Sequence, residues 1–330
     1  MNSSFRSRAA SLAPLLLSAF GAAMLPAPVS AADPVPLSLN FAAEIAGQPF
    51  ACGQRYANLG RTDAEIAFAD FRLFVSEVAL LAADGRRVPM TLDDDGRWQD
   101  GQVALLDFED ATDRCDNGTP PTNAQVSGSL PAGDYTGVEF VIGVPFDSNH
   151  GDPTLAASPL NLTSMFWNWR GGYRFLKIDM VAAEAGADAD AGHGGAGHGD
   201  AMGDGHGAAA GGGHAGGHGN ASAGAWMLHL GSTGCESPSR TSAPSQACAQ
   251  PNRVTVTFND FDAGQDVIVI DPAALLADSD LGSNAPDTSP GCMSFPGDPD
   301  CASVLPKAGL AYGDMAGGEQ QLATVRRDAQ

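Results

Sequence analysis

The sequence predicts an all-β protein: an antiparallel β-sandwich or barrel-like domain with one short helix and a disordered His/Gly-rich insertion. Three observations carry this. About nine short runs alternate apolar with polar residues, or gather β-branched and aromatic side chains, and turn residues separate them. Gly and Pro are abundant, at 41 and 22 of 330 residues, which favours turns over long helices. Residues 183–224 contain almost no large apolar side chain, so they cannot bury enough surface to offset the entropy of ordering them.

The strands are expected in the following order. Leu37, Leu39 and Phe41 alternate with small or polar residues. Asp70 to Leu81 alternates through Phe71, Leu73, Val75 and Val78, Asp84-Gly85 is a hairpin turn, and Val88 to Leu92 is the return strand. Val103 to Phe108 and Tyr135 to Val144 follow, the second after the turn Gly133-Asp134. Tyr173 to Val181 alternates with one slip, and Trp226 to Leu230 lies beyond the insertion. Val254, Val256 and Phe258 alternate cleanly, and Val267 to Ile270 is a short apolar run. Asp271 caps the expected helix, Pro272 fills its first turn and Ala273 to Ala277 continue it.

The first 32 residues have the pattern of a cleaved export signal. Arg6 and Arg8 precede a short apolar stretch, Leu12 to Leu25, and Val29-Ser30-Ala31 and Ser30-Ala31-Ala32 are small-residue cleavage sites. That stretch is too short to span a membrane, and nothing downstream is long and apolar enough to do so. Residues 33–330 then form a single domain, and 183–224 is an insertion within it. Cleavage removes two positive charges from a formal net charge of -22, leaving about -24. Such a surface repels phosphate backbones, which excludes nucleic acid as a partner.

Six cysteines remain: Cys52, Cys115, Cys235, Cys248, Cys292 and Cys301. None has C-x-x-C spacing, and an even number in an exported chain indicates disulfides. Six cysteines allow 15 pairings. Proximity along the chain favours Cys52–Cys115, Cys235–Cys248 and Cys292–Cys301.

Five of the seven histidines fall in the insertion: His193, His198, His206, His214 and His218. A flexible imidazole tract can wrap copper, zinc or nickel without a preformed site. The other two, His150 and His229, border expected strands, where a lone histidine is more often a hydrogen-bonded structural residue. Met165-Phe166-Trp167-Asn168-Trp169 holds two of the four tryptophans. Read as a strand, positions 165, 167 and 169 share a face, and the plain reading of that face is core packing. Met165 is either a soft ligand or core filler. No zinc-protease, nucleophile-elbow, phosphate-loop or dinucleotide motif occurs, and no acid–base or nucleophile constellation marks the chain as an enzyme.

Taken together, several segments resemble the MbnP-like copper-binding proteins, the four-Cys partner of the so-called metallo-mystery pair. They include Phe50-Ala51-Cys52-Gly53, Asp70-Phe71-Arg72-Leu73-Phe74-Val75-Ser76 and Val103-Ala104-Leu105-Leu106-Asp107-Phe108-Glu109. Gly143-Val144-Pro145-Phe146 with Asn149-His150, Pro159-Leu160-Asn161, and Met165 to Trp169 running on through Gly172 to Asp179 follow. His229-Leu230-Gly231-Ser232-Thr233-Gly234-Cys235 and Gly291-Cys292-Met293 complete the set. The resemblance implies a periplasmic or secreted β-rich protein that binds one copper ion. It also implies a tryptophan oxidised to kynurenine by a partner di-haem protein of the cytochrome-c-peroxidase/MauG-like class. Carried onto this chain, it makes His150 and His229 the copper ligands and Trp167 or Trp169 the modified residue, with Trp98 and Trp226 in reserve. The competing expectations are a zinc or nickel scavenger acting through the His tract, and a surface interaction module in which metal is incidental.

Overall fold

The computed structural model describes residues 33–182 and 224–327. The proposed export signal, almost all of the insertion and its five histidines lie outside the described residues. The strands are β1 (Pro34–Ile45), β2 (Gln48–Pro49), β3 (Arg55–Leu59), β4 (Ala64–Ala82), β5 (Arg87–Pro89), β6 (Thr91–Leu92), β7 (Val103–Asp107) and β8 (Gln125–Pro131). After them come β9 (Tyr135–Ile142), helix α1 (Phe146–Asn149), β10 (Phe166–Asn168), β11 (Gly172–Tyr173), β12 (Leu176–Ala182) and β13 (Ala225–Leu230). The chain ends with β14 (Val254–Phe258), β15 (Asp266–Ile270), α2 (Ala273–Leu276), α3 (Pro299–Ala302) and β16 (Ala323–Arg327).

Two large sheets form, and neither closes into a barrel. One runs β16-β15-β1-β8-β6 with β2 on β1; the other runs β13-β12-β4-β9-β14 with β3, β5 and β7 also on β4. Phe41 of the first sheet meets Phe140 of the second edge-on at 5.6 Å, and one continuous core contains side chains from both. Among the described residues the pairing is antiparallel except for the contact of β1 with β15 and an isolated parallel bridge, Leu228↔Cys292.

Strand β4 organises the larger sheet because it changes partners along its length. One edge meets β12 at residues 66–73 and then β9 at 75–82. The other meets β3, β7 and β5 in turn. Glu77 takes a positive φ of 53° where the register shifts, and such a bulge bends the strand between partners. Neighbours on both faces leave β4 buried almost throughout. Its expected outward-facing polar positions are therefore sites where ionisable side chains go inside.

Strands β12 and β13 pair over their full lengths, from Leu176↔Leu230 to Val181↔Ala225. The insertion is thus the connection of a hairpin, as its position between two strand runs suggested. The slip in the Tyr173 to Val181 pattern follows Phe175, where the chain bends between β11 and β12. Asp271 Oδ1 accepts from Ala273 N at 2.9 Å, but the N-cap residue of α2 is Pro272 and not Asp271 as expected, because the helix begins only at Ala273. The disulfides are Cys52–Cys115, Cys235–Cys248 and Cys292–Cys301.

Candidate metal centre

His229 lies near the end of β13, with 3 % of its surface exposed. Its Nε2 is 2.6 Å from Asp179 Oδ1, and its Nδ1 receives Arg174 Nε at 3.3 Å. A guanidinium only donates and a carboxylate only accepts. The ring is therefore neutral, with hydrogen on Nε2 and a bare lone pair on Nδ1. Burial pushes the His229 pKa down more strongly than Asp179 raises it. Burial also pushes Asp179 up, but His229 and Lys177 outweigh it and hold the carboxyl well below its usual range.

His150 follows α1 and is equally buried. Its Nδ1 is 3.1 Å from the Trp169 carbonyl oxygen, so Nδ1 carries the hydrogen and Nε2 is bare. Asn149 Nδ2 donates to that nitrogen at 3.2 Å. Cys248 Sγ lies 3.6 Å from it but, being in a disulfide, has no proton to give. Burial lowers the His150 pKa against the pull of the carbonyl. Two neutral imidazoles each present one unprotonated nitrogen, which is what a metal ligand needs.

The hairpin β10–β11 reaches both. Its turn is closed by Asn168 Oδ1, which accepts from Arg170 N and Gly171 N at 3.1 and 2.9 Å. Gly172 has a φ of 76°, a conformation that favours glycine. Asn149 Oδ1 pins the return strand through Tyr173 N at 2.8 Å. At one end Trp167 stands with its ring 6.5 Å from that of His229. Phe295 stacks on it at 6.0 Å, and Arg174 lies over its face at 5.5 Å. Trp169, two residues on in the turn, gives His150 its carbonyl. Gly231 makes the approach of Trp167 feasible, since a Cβ there would sit 2.5 Å from Trp167 Cζ3.

The expected common face of residues 165, 167 and 169 does not form. Met165 ends a 3₁₀ turn, Thr163–Met165, and only residues 166–168 are extended before the Asn168 turn begins. Met165 is fully buried in the core, so it acts as filler. Trp167 and Trp169 are half-buried and lie outside the core, whereas Trp226 is enclosed and Trp98 packs on its margin.

Behind His229 runs a row of charges that inspection of single residues misses. His229, Lys177, Arg72 and Asp107 are directly opposite one another across β13, β12, β4 and β7. Asp179 and Asp70 face each other in the adjoining row. Lys177 Nζ bridges Asp70 and Asp179, the latter at 2.7 Å. Arg72 grips Asp70 with two nitrogens, Nε to Oδ1 at 2.8 Å, and approaches Glu109 at 3.5 Å. The sequence signal was present: Asp70-Phe71-Arg72 and Lys177-Ile178-Asp179 place opposite charges two apart in strands, hence on one face.

Among the described residues one group of three ligand-type side chains has its atoms within 4.8 Å of one another: His150, Cys235 and Cys248. The two cysteines are bonded to each other, so the group holds no thiolate in this state. His229 is not part of it. His150 and His229 are linked through the β10–β11 hairpin, not by direct contact.

The fold and these residues define an all-β protein with two neutral, buried imidazoles beside an accessible tryptophan. Residues 34–294 match the MbnP family model, and the chain belongs to the MbnP family. Its structure is similar to that of MbnP from Methylosinus trichosporium, with a TM-score of 0.70 and 28 % identity. The match covers 90 % of this chain and 100 % of that one. No curated protein matches the chain in sequence. Three disulfides are consistent with an extracellular protein, and no helix among the described residues is long and apolar enough to cross a membrane.

Proposed function

We propose that this is an exported copper-handling protein, a binder and not a catalyst, that holds one copper ion with His150, His229 and an oxidised Trp167. The observation that carries the reading is the hairpin that sets the Trp167 ring against His229 and the Trp169 carbonyl against His150. Both imidazoles have an unprotonated nitrogen, at present accepting from Arg174 and Asn149, and imidazole suits copper in either oxidation state. An intact indole offers only an N–H donor. Kynurenine offers an aniline nitrogen and a ketone oxygen, so conversion of Trp167 supplies the missing ligand. Trp167 is favoured over Trp169 because its ring, not its backbone, faces a histidine.

A di-haem partner of the cytochrome-c-peroxidase/MauG-like class is the proposed oxidant. Half-burial keeps Trp167 accessible to such a partner, whereas Trp226 is sealed in the core. The test is to produce the protein with and without that partner, then measure copper content and the mass of the peptide 164–170. Kynurenine at position 167 and one bound copper are expected, both lost in Trp167→Phe. In His229→Ala the copper goes and the modification remains. Unchanged copper in His229→Ala would overturn the centre. Excision of residues 183–223 separates this reading from metal capture by the His tract. The shortened protein should keep one tight copper, and loss of all metal would move the function to the tract.

A further inference from the structure

We propose that the Cys235–Cys248 disulfide, when reduced, becomes a second metal site, in which both thiolates and His150 Nε2 bind one monovalent copper ion. This goes beyond the centre proposed above. It shares His150 with that centre but needs neither His229 nor Trp167.

The three ligand atoms already lie within 4.8 Å of one another, and His150 Nε2 is 3.6 Å from Cys248 Sγ. The Trp169 carbonyl fixes the ring through Nδ1, so the bare nitrogen is the one that faces sulfur. Its present partner, the Asn149 amide, has Ser232 Oγ at 3.5 Å as an alternative acceptor. A ligand can thus take Nε2 without stranding that donor.

Cutting the S–S bond need not scatter the cysteines. Next to them the backbone is tied into a short antiparallel ladder: Thr233 N to Gln250 O at 2.9 Å, Gln250 N to Thr233 O at 3.0 Å and Ala249 N to Gly234 O at 3.1 Å. These bonds keep residues 235 and 248 opposite each other whether or not the sulfurs are joined. The site is then preorganised, and binding does not bear the full entropy of ordering a loop.

A reductant can also reach it. Cys235 is partly exposed along its backbone, while the three ligand groups themselves are buried, and the connecting residues 236–247 are mostly exposed, so access comes by opening that loop. The side-chain hydrogen bonds among Ser237, Ser239, Thr241 and Ser242 stay within that loop. Of the other bridges, Cys292–Cys301 is fully buried, whereas Cys52–Cys115, like Cys235–Cys248, joins a partly exposed cysteine to a buried one. Neither of those pairs joins a third ligand-type residue in the way Cys235 and Cys248 join His150.

Ligand number selects the ion. Two thiolates and one imidazole form a soft, three-coordinate set, which suits monovalent copper, whereas structural zinc wants a fourth ligand. The balance is simple. A protein dithiol reductant gives two electrons and two protons to the disulfide, and its own dithiol becomes a disulfide. Copper binding then releases the two thiol protons to solvent. A protein disulfide oxidant then takes two electrons from the thiolate sulfurs and, with two protons from solvent, becomes a dithiol, which reforms the S–S bond and frees the ion. The site therefore loads under reduction and unloads under oxidation.

The test uses the mature protein and a Trp167→Phe/His229→Ala variant, each with and without prior phosphine reduction. Monovalent copper is titrated anaerobically against a chromophoric chelator, and thiol labelling with peptide mass analysis reports which cysteines are free. Reduction is expected to free Cys235 and Cys248 before Cys292 and Cys301. It should add one copper to the Trp167→Phe/His229→Ala variant and, in the mature protein, draw the copper held at His150 onto the two thiolates, with a copper–thiolate absorption in the ultraviolet in both. That copper and its absorption should vanish in Cys235→Ser/Cys248→Ser, and affinity should fall by roughly ten-fold or more in His150→Ala. No additional copper in the reduced Trp167→Phe/His229→Ala variant, or a thiolate signal that survives in the double serine variant, would overturn the proposal. Circular dichroism of the serine variant confirms that folding is retained. Failure of the first centre gives a different pattern: the unreduced protein then binds no copper while the reduced one binds it.

Discussion

The Asp179 carboxylate lies 2.6 Å from His229 Nε2 and thereby decides which ring nitrogen faces the proposed copper. Asp179 is itself anchored by Lys177, which Asp70 holds from the far side. The orientation of one imidazole thus rests on a chain of charges that spans three strands. Asp179→Ala leaves the tautomer free and the ring loose. Loss of such a partner typically weakens metal binding by about 10- to 100-fold, and a chelator competition should show a drop of that size. Unchanged affinity would mean that packing alone orients His229.

Arg174 occupies the nitrogen that copper is proposed to use. Its Nε points at His229 Nδ1, while Nη1 donates to the Ser164 and Phe166 carbonyls at 3.1 Å each. Burial pulls its pKa down to about 10, against the attraction of Asp179 and Asp70, so it is still a cation at neutral pH. Copper must displace this charge. Arg174→Met should therefore bind copper roughly five- to ten-fold more tightly, because a nearby like charge is gone. The same change should cost about 1–3 kcal/mol of stability through the two unpaired carbonyls. Weaker copper binding in the variant would show that Arg174 supports the hairpin more than it blocks the site.

Asp107 ends the charged row with both carboxylate oxygens buried and without a hydrogen-bond partner. Burial, reinforced by the charge of Glu109 and eased by Arg72, pushes its pKa up to about 8. The unfolded chain gives up this proton near pH ~4, and the folded chain does so only about pH 8. Its contribution to stability is whole below pH ~4 and is lost as the pH rises toward 8. Urea unfolding of wild type and Asp107→Asn at pH 5 and pH 8 isolates this term. The variant should gain on wild type by an amount on the order of a few kcal/mol between the two values. Parallel pH dependence in both proteins would count against a proton held at Asp107.

Much of the larger sheet was legible because its strands carry strong alternation or dense β-branched runs. Strand β8 was not, since in Gln125–Pro131 only Val126 and Leu130 are large and apolar. Strands β3 and β16 each carry few large apolar residues, and their pairing is decided by distant partners. The parallel β1–β15 contact joins segments far apart in sequence, which no local pattern reveals. At the site, the resemblance supplied His150, His229 and the two tryptophans. Alternation alone could not separate Trp167 from core filler, because its half-burial depends on how Gly231 and Phe295 meet it. Lys177 and Arg72 were legible as charges but not as buried ones, since burial follows from how β4 is covered on both faces.

The spacing between β13 and the hairpin is set by the absence of one carbon atom. At Gly231 a Cβ would lie 2.5 Å from Trp167 Cζ3 and 2.9 Å from the Tyr173 carbonyl oxygen. The carbonyl is backbone in a pinned strand, so the indole must yield. Gly231→Ala should push the Trp167 ring away from His229 and loosen its stack on Phe295. Overpacking of this kind costs about 1–3 kcal/mol, read as a lower unfolding midpoint. If Trp167 is the oxidised residue, the variant should also yield less kynurenine with the di-haem partner and less bound copper, even at temperatures where it is fully folded. A folded Gly231→Ala protein with full modification and full copper would separate the Trp167–His229 contact from the function proposed for it.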